Sequence, residues 1–347
     1  MISAGVATHR IRTFVDSWLA ITRLTQKQVD DFMASYVIYN LDWSDEPQMI
    51  SALGPDYASK VGDCLVAYYS VLNHLCALGS VEKMYIPPNM RRGAGILQNQ
   101  VLYEESVASD LGLRQGHQVL DLGCGRGRVA AHIAEISGAR ITGVNIDAVQ
   151  LASARAFNQE RGLQNEFVQR DFNQLPLPFA DRSFDGFYHI QALSLCKSLP
   201  ALFKELFRVL KPGAKLSSLD WASLPAYDPG KPEHAELMRR VKSLIGAVGT
   251  PTPTLFEEAA RSAGFEIVRS DNASVDGLQA DLIDNADLYF RGLRVVITAL
   301  VAIRVLPKHF KTLIDRLTQD GPAFVEMDRL RLATTTYRLV AQKPLAA

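Results

Sequence analysis

The sequence predicts an α/β fold in which a mostly parallel sheet is covered by helices on both faces. Two observations lead to this prediction. From Val101 to about residue 270, apolar stretches of strand length alternate with stretches of helical periodicity, which is typical of parallel sheets with helical crossovers. In addition, a glycine-rich turn joins a predicted strand to a predicted helix at Val119–Gly127. The 347 residues allow one large α/β domain with extensions or two small domains.

The central region supplies most of the predicted elements. Its predicted strands are Gln118–Leu122, Arg140–Val144, Glu166–Gln169, Phe184–Ile190 and Ala214–Leu219. The predicted helices between them are Arg128–Ile136, Ala148–Arg161 and Leu199–Leu210. Lys211-Pro212-Gly213 is expected to stop the last of these helices, because proline and glycine terminate helices. A helix at Leu255–Ala263 and a strand at Phe265–Arg269 continue the alternation.

The two ends of the chain are predicted to be largely helical. Residues 1–53 carry two apolar stripes, formed by Ile11, Phe14, Val15, Trp18, Leu19 and Thr22 and by Val29, Phe32, Met33 and Tyr36. We interpret them as a helical cap on the core, with a partner-binding arm as the alternative. A further helix is expected at Ala58–Leu78. Residues 271–332 are predicted to be mainly helical before a last strand, Thr334–Gln342.

Composition excludes several classes of function. Lysine plus arginine equals aspartate plus glutamate at 37 each, which argues against a nucleic-acid substrate. The four cysteines form neither a CxxC pair nor a metal-ligand spacing, so we expect reduced thiols and no metal site. No secretory signal is evident, and the apolar run Val295–Leu306 is too short to span a bilayer. We therefore expect a cytoplasmic protein, with peripheral contact to the endoplasmic reticulum or another internal membrane as a further option.

Three successive strand ends predict a nucleotide-like cofactor site. The string VLDLGCGRG at Val119–Gly127 places glycines where the backbone can turn tightly before a helix N-terminus. The next strand ends at Asn145-Ile146, and the third ends at Asp171-Phe172. Because the carboxyl ends of parallel strands meet at one sheet edge, these side chains should gather there. The predicted cofactor-binding residues are Asp121, Gly123, Cys124, Gly125, Gly127, Asn145, Ile146, Gln150, Asp171 and Phe172.

The spacing of this loop resembles the first motif of class I methyltransferases. An acidic Asp121 stands two residues before the first of three alternating glycines. The resemblance implies that the cofactor is S-adenosyl-L-methionine and that S-adenosyl-L-homocysteine is the product. A carboxylate at Asp121 would attract the cationic end of this cofactor, which NAD lacks.

Over roughly Tyr57–Pro344 the chain resembles the sterol C-methyltransferases, which methylate carbon 24 of the sterol side chain. The strings LGLRQGHQVLDLGCGRG, VQRDFNQLPLPFADRSFDG and VLPKHFKTLIDRL carry the resemblance. It implies a Rossmann-like class I methyltransferase sheet in residues 101–270. It also implies a helical N-terminal extension in residues 1–100 and a helical acceptor lid with the last strand in residues 271–347. The implied partner is a sterol or related isoprenoid, a lipophilic small molecule, and a homo-oligomer is a further option.

Departures from the family pattern bear on the reaction. Gln191 stands where the family has a glutamate, and Leu195 where it has a histidine. The segment Gln98–Tyr103, expected to be a loop, also lacks the family's usual residues. Since Gln191 brings no full charge to stabilise a carbocation, we expect C-methylation at a site other than the side-chain alkene, such as an enolate carbon of a keto sterol. The alternatives are O- or N-methylation of a lipophilic secondary metabolite, and a non-catalytic cofactor-binding relative.

Candidate catalytic and acceptor residues follow from the same strand ends. Tyr188, His189 and Gln191 end the fourth strand, and alternation is expected to send His189 and Gln191 to one face. His189 is a candidate base, or else a structural histidine. Asp220 is a candidate base or cation stabiliser, and Trp221 a candidate wall of the acceptor site.

Further acceptor contacts are expected on the helix before the Pro loop, at Tyr68, Tyr69 and His74. We expect Gln191→Glu to change acceptor preference rather than cofactor affinity. The apolar segment Ala286–Leu306 is interpreted as a lid or shallow membrane contact, or alternatively as a buried core or dimer helix.

Overall fold

A computed structural model describes residues 4–78 and 81–345, with side chains from residue 12 onward. Its centre is a seven-stranded sheet of order β3-β2-β1-β4-β5-β7-β6, in which β7 runs antiparallel to both of its neighbours. The strands are β1 Gln118–Leu122, β2 Arg140–Asn145, β3 Glu166–Gln169, β4 Phe184–Ile190, β5 Leu210–Ser223, β6 Glu266–Asn272 and β7 Ala333–Gln342. The predicted α/β fold class is confirmed, since parallel strands lie between helical layers.

Thirteen helices are found in the described part of the chain. The N-terminal ones are α1 Ala4–Thr22, α2 Gln26–Ser35, α3 Glu46–Leu53, α4 Tyr57–Leu78 and α5 Ile96–Leu111. Those of the central region are α6 Arg128–Ser137, α7 Ala148–Glu160, α8 Leu199–Val209, α9 Pro232–Ile245 and α10 Pro253–Ala263. The C-terminal ones are α11 Ala280–Ala302, α12 Lys308–Thr318 and α13 Gly321–Arg329.

Two sequence predictions about element boundaries are wrong. Gln98–Tyr103 lies inside helix α5 rather than in a loop, because Tyr103, Val107 and Leu111 form a buried stripe and Gly112 caps the helix in the left-handed conformation. Strand β5 begins at Leu210, directly after helix α8, so Lys211–Gly213 lies within the strand. Gly213 reaches φ +79° there, and its N–H donates to the Lys343 carbonyl.

The N-terminal helices build a second apolar core beside the sheet. Val29, Phe32 and Tyr68 are buried in it together with Leu313 of α12, which supports the interpretation as a helical cap. Helix α4 is long and apolar enough to cross a bilayer, but half of its apolar window is buried in this core.

The stripe predicted on helix α1 is wrong in detail. Phe14, Val15 and Leu19 are exposed, whereas Ser17 and Ile21 are buried. The side chain of Ile11 lies outside the described residues.

Helix α11 packs against the cap at Ile297 and beside α13 at Ile283, whereas its outer face is exposed. Ile283 and Ile297 are buried. Leu288, Val295 and Ile303, spaced at about two turns, are 65%, 70% and 69% exposed. The alternative of a helix buried in the core of a single chain is therefore wrong. The division of the chain at residues 100 and 270 stays a prediction.

Candidate functional site

The carboxyl ends of β1, β2, β3 and β4 surround a cavity, here called the cofactor cavity, whose empty space, including the part open to solvent, is about 1050 Å³. It lies where β1 pairs with β2 on one side and β4 on the other, the point at which open α/β sheets bind ligands. Nine of the ten predicted cofactor residues line it, namely Asp121, Gly123, Cys124, Gly125, Asn145, Ile146, Gln150, Asp171 and Phe172.

Asp121 is the buried carboxylate of this cavity. Only 3% of the residue is exposed, and the Tyr188 hydroxyl donates to its Oδ2 at 2.9 Å. Burial raises the pKa of Asp121 to about 7, against the lowering effect of that hydrogen bond. A cation placed beside this carboxyl would favour its ionised form. Because its hydroxyl donates to Asp121, Tyr188, a predicted catalytic residue, orients that carboxylate.

The glycines of the loop have different roles. Gly123 has φ +80°, and a Cβ at this position would lie 2.6 Å from Ala192 Cβ, so only glycine fits. Gly127 does not line the cofactor cavity, which corrects its predicted role. It precedes helix α6 at φ +69°, where a Cβ would lie 2.8 Å from Ala154 Cβ. Its function is therefore close packing of the loop against α7.

The end of β2 carries a residue that the predicted binding set missed. Asp147 lines the cofactor cavity and caps helix α7, with Oδ1 accepting from the Val149 and Gln150 N–H groups. Its Oδ2 is buried and has no partner among the described residues. Beside it, Asn145 Nδ2 donates to Gln150 Oε1 at 2.7 Å. An aspartate at the N-cap position directly after a strand was the available signal.

These groups fit S-adenosylmethionine. Asp121 could hold its cationic end, the unpaired Asp147 oxygen could accept from a ribose hydroxyl, and Phe172 offers an apolar wall for the adenine. Arg126, also missed, lines the same cavity with a buried Nη1 that has no partner among the described residues. Its guanidinium could hold the cofactor's carboxylate.

A second, mostly apolar cavity adjoins the first, and its empty space, including the part open to solvent, is about 1070 Å³. We call it the acceptor cavity. Tyr69, Met84, Tyr85 and Gln191 line both cavities and form the wall between them. Tyr68, a predicted acceptor contact, also lines it. The remaining described residues around it are Leu72, Cys76, Val81, Ile86, Ile96, Leu244, Ile245, Ile283, Ala286, Asp287, Phe290, Leu317, Thr318 and Gly321.

Gln191 lines both cavities, but its amide is engaged with the backbone. Nε2 donates to the carbonyls of Ile86 and Thr335 at 2.7 and 2.8 Å, and Oε1 accepts from the Ile86 N–H at 3.0 Å. The residue follows the end of β4 with φ +52°. The left-handed conformation breaks the alternation of the strand, so the prediction that His189 and Gln191 share a face is wrong. Gln191 ties three chain segments together at the wall.

His189 lines neither cavity and is fully buried. Its Nε2 bonds the Ser218 hydroxyl, and burial lowers its pKa to about 3. The imidazole is therefore neutral near pH 7 but a weak proton acceptor, and it reaches neither cavity. These contacts favour the structural alternative for this histidine.

Asp220, Trp221 and His74 also line neither cavity. Asp220 accepts from the N–H groups of Leu193 and Trp221, both at 2.7 Å, and so holds the turn after β4. Burial raises the pKa of Asp220 to about 7. Trp221 is buried and donates to the Gly249 carbonyl at 3.0 Å. His74 Nδ1 lies 3.4 Å from the Ser17 hydroxyl of helix α1. Their predicted contacts with the acceptor are not found.

Comparison with known proteins agrees with this geometry. A family model described as a methyltransferase domain matches residues 120–218. Methyltransferase phqN of Penicillium fellutanum is 30% identical over 79% of this chain and 88% of that protein. Sterol 24-C-methyltransferase of Pneumocystis carinii is 30% identical over 70% of each chain. The cyclopropane synthase MmaA2 of Mycobacterium tuberculosis superimposes with a TM-score of 0.62 at 16% identity, covering 76% of this chain and 90% of that one. This structural likeness concerns the fold alone.

Proposed function

Because this chain belongs to the sterol C-methyltransferase family and is an S-adenosylmethionine-dependent methyltransferase, we propose that it methylates a carbon atom of a sterol or related isoprenoid. The observation that carries the proposal is the apolar acceptor cavity directly beside the cofactor cavity. A cavity lined mainly by aliphatic and aromatic side chains favours a lipophilic ligand.

S-adenosylmethionine supplies a methyl group on a good leaving group, so the protein contributes chiefly positioning and the exclusion of water. Tyr69 and Met84 would hold the acceptor carbon at the wall between the cavities. The Tyr69 hydroxyl has no hydrogen-bond partner among the described residues, and burial raises its pKa to about 12. It therefore stays protonated and can donate to an oxygen of the acceptor.

The shared wall favours methylation away from an isolated alkene. Its four residues include no carboxylate to stabilise a carbocation. A neutral hydrogen-bond donor such as Tyr69 suits an enol or enolate oxygen next to the reacting carbon instead. The enol of a keto sterol meets this requirement: its carbon would bond the methyl group as the bond from methyl to sulfur breaks, and the enol oxygen would release its proton to solvent.

The test is a product assay with S-adenosylmethionine carrying a deuterated methyl group and a panel of sterols and linear isoprenoids. We expect labelled product from at least one keto-bearing isoprenoid. Ala286→Phe, which fills the acceptor cavity, should abolish product formation while cofactor binding persists. Ala299→Phe, on the exposed side of the same helix, is the matched control and should remain active. Labelling of no member of the panel would contradict the proposal, as would label attached only to oxygen.

We further propose that the enzyme works at the surface of an internal membrane. The acceptor cavity shares Val81, Ile96, Ala286 and Phe290 with an outer groove that also contains Tyr289, more than half exposed on helix α11. Apolar side chains next to such an opening suit shallow insertion into lipid. In flotation with neutral phospholipid vesicles, the parent enzyme should rise with the vesicles. The Val295→Glu variant should stay in the unbound fraction. Equal flotation of both proteins, or a dimer that covers Val295, would contradict the proposal.

A further inference from the structure

The acceptor cavity contains one carboxylate that the proposed reaction does not use. Among the described residues that line the cavity, Asp287 is the single one with a formal charge. The residue is only 7% exposed. Placing a charge in an apolar cavity is costly unless the charge is paired and hydrogen-bonded, so this position calls for a partner.

The protein pairs one oxygen of Asp287 with a cation and packs the other against Gly321 without a hydrogen-bond donor among the described residues. Arg291, one turn further along α11 and half exposed, forms an ion pair in which its Nε lies 2.8 Å from Oδ2. No donor to Oδ1 is found in the described part of the chain. Gly321 at the start of α13 leaves room for this oxygen, since a Cβ there would lie 2.2 Å from Oδ1. Burial and the nearby Asp284 raise the pKa of Asp287, whereas Arg291 lowers it.

Asp287 lies away from the wall that separates the two cavities. Its neighbours around the acceptor cavity, Ile283, Thr318 and Gly321, do not line the cofactor cavity. An acceptor whose reacting carbon lies at Tyr69 and Met84 would therefore meet Asp287 with another part of its skeleton. The carboxylate is placed to recognise the acceptor rather than to take part in methyl transfer.

We propose that Asp287 is a specificity-determining residue that accepts a hydrogen bond from a hydroxyl group at the end of the acceptor remote from the methylated carbon. An ionised carboxylate accepts but does not donate, so it binds a free hydroxyl and not the corresponding ketone or methyl ether. This inference rests on the proposed isoprenoid acceptor and narrows it to hydroxylated members.

The test measures equilibrium binding to the full chain loaded with S-adenosylhomocysteine, so it does not depend on turnover. The probes are a sterol with a free hydroxyl, its methyl ether and its ketone, and the same series of a linear isoprenoid alcohol. The parent enzyme should bind the alcohol about tenfold more tightly than the ether, the size expected for one hydrogen bond to a charged group. Asp287→Asn should abolish this preference and tighten binding of the ketone, because the amide can donate.

Asp284→Asn is the matched control, since it removes an exposed carboxylate that pairs with the same arginine. It should keep the preference. Loss of S-adenosylhomocysteine binding would show that Asp287→Asn does not fold. In that case Gly321→Ala replaces it, because the added methyl group would displace Asp287 Oδ1. A preference for the alcohol that persists in these variants, or a parent enzyme without one, overturns the inference. If sterols are methylated but the enzyme does not prefer the alcohol over the ether, only the role of Asp287 is refuted. If the enzyme prefers the alcohol in binding but methylates no isoprenoid, only the proposed function is refuted.

Discussion

Replacing Asp121 by asparagine should stabilise the ligand-free enzyme and at the same time weaken cofactor binding. The side chain keeps its size and its acceptor for the Tyr188 hydroxyl, so the change removes mainly the charge. Burial raises the pKa of Asp121 to about 7, about three pH units above an ordinary aspartate, and each unit corresponds to about 1.4 kcal/mol. The ionised carboxylate therefore costs the ligand-free fold on the order of 4 kcal/mol.

The sign of this effect defines the pH range of the assay. Between about pH 4 and pH 7 the unfolded chain has lost the proton that the folded carboxyl still holds, so stability falls as pH rises through this range. Above pH 7 both states are ionised and the penalty is constant. In urea titrations, the variant should match the parent near pH 4 and exceed it by about 2 to 4 kcal/mol at pH 8.

Cofactor affinity should change in the opposite direction. Loss of a buried charge partner should weaken S-adenosylmethionine binding by about 100-fold at pH 8, a cost of about 3 kcal/mol. In the parent, the affinity for S-adenosylmethionine should fall as the pH drops below 7, because Asp121 becomes protonated. In the variant, the affinity should not change with pH in this range. Tyr188→Phe is the control: it removes the hydrogen bond that lowers the pKa of Asp121, so the midpoint should move to higher pH. A variant that binds the cofactor as tightly as the parent, or whose stability follows the same pH curve, refutes the reasoning.

Three other substitutions test the structural assignments. Gln191→Glu places a carboxylate against two carbonyls, so the free energy of unfolding measured in urea should fall by about 2 kcal/mol or more. Unchanged stability with an altered acceptor preference would instead support the sequence-based prediction that this change affects only acceptor choice. His189→Gln should leave the pH profile of kcat unchanged near neutrality, because the pKa of His189 is about 3; a profile that loses its acidic limb would show that His189 is a base. Gly123→Ala should abolish cofactor binding measured by calorimetry, since its Cβ would meet Ala192 at 2.6 Å; retained affinity would contradict the loop geometry.

Local patterns carried enough information to predict the sheet and most of the cofactor cavity. Strands β1, β3 and β4 have the predicted bounds, because buried parallel strands read as continuous apolar runs between glycine and polar turns. Asp121, Asn145 and Asp171 reach one cavity, since parallel strands end at a common edge.

The acceptor side depended on contacts between distant segments, which periodicity does not encode. Gln191 lines both cavities, but its bonds to Ile86 and Thr335 cross 105 and 144 residues. Strict alternation along β4 would have brought His189 to the same face, and the left-handed backbone at Gln191 prevents this. Asp287 belongs to the cavity only because α11 packs beside α13.

The most direct test of the account is the position of the transferred methyl group. S-adenosylmethionine carrying a ¹³C-labelled methyl would be turned over with the preferred isoprenoid acceptor, and the product examined by carbon–proton correlation NMR. We predict a methyl signal bonded to a carbon of the acceptor skeleton, next to an oxygen-bearing carbon. A methyl signal on oxygen or nitrogen would contradict the account, as would label that stays entirely in the cofactor.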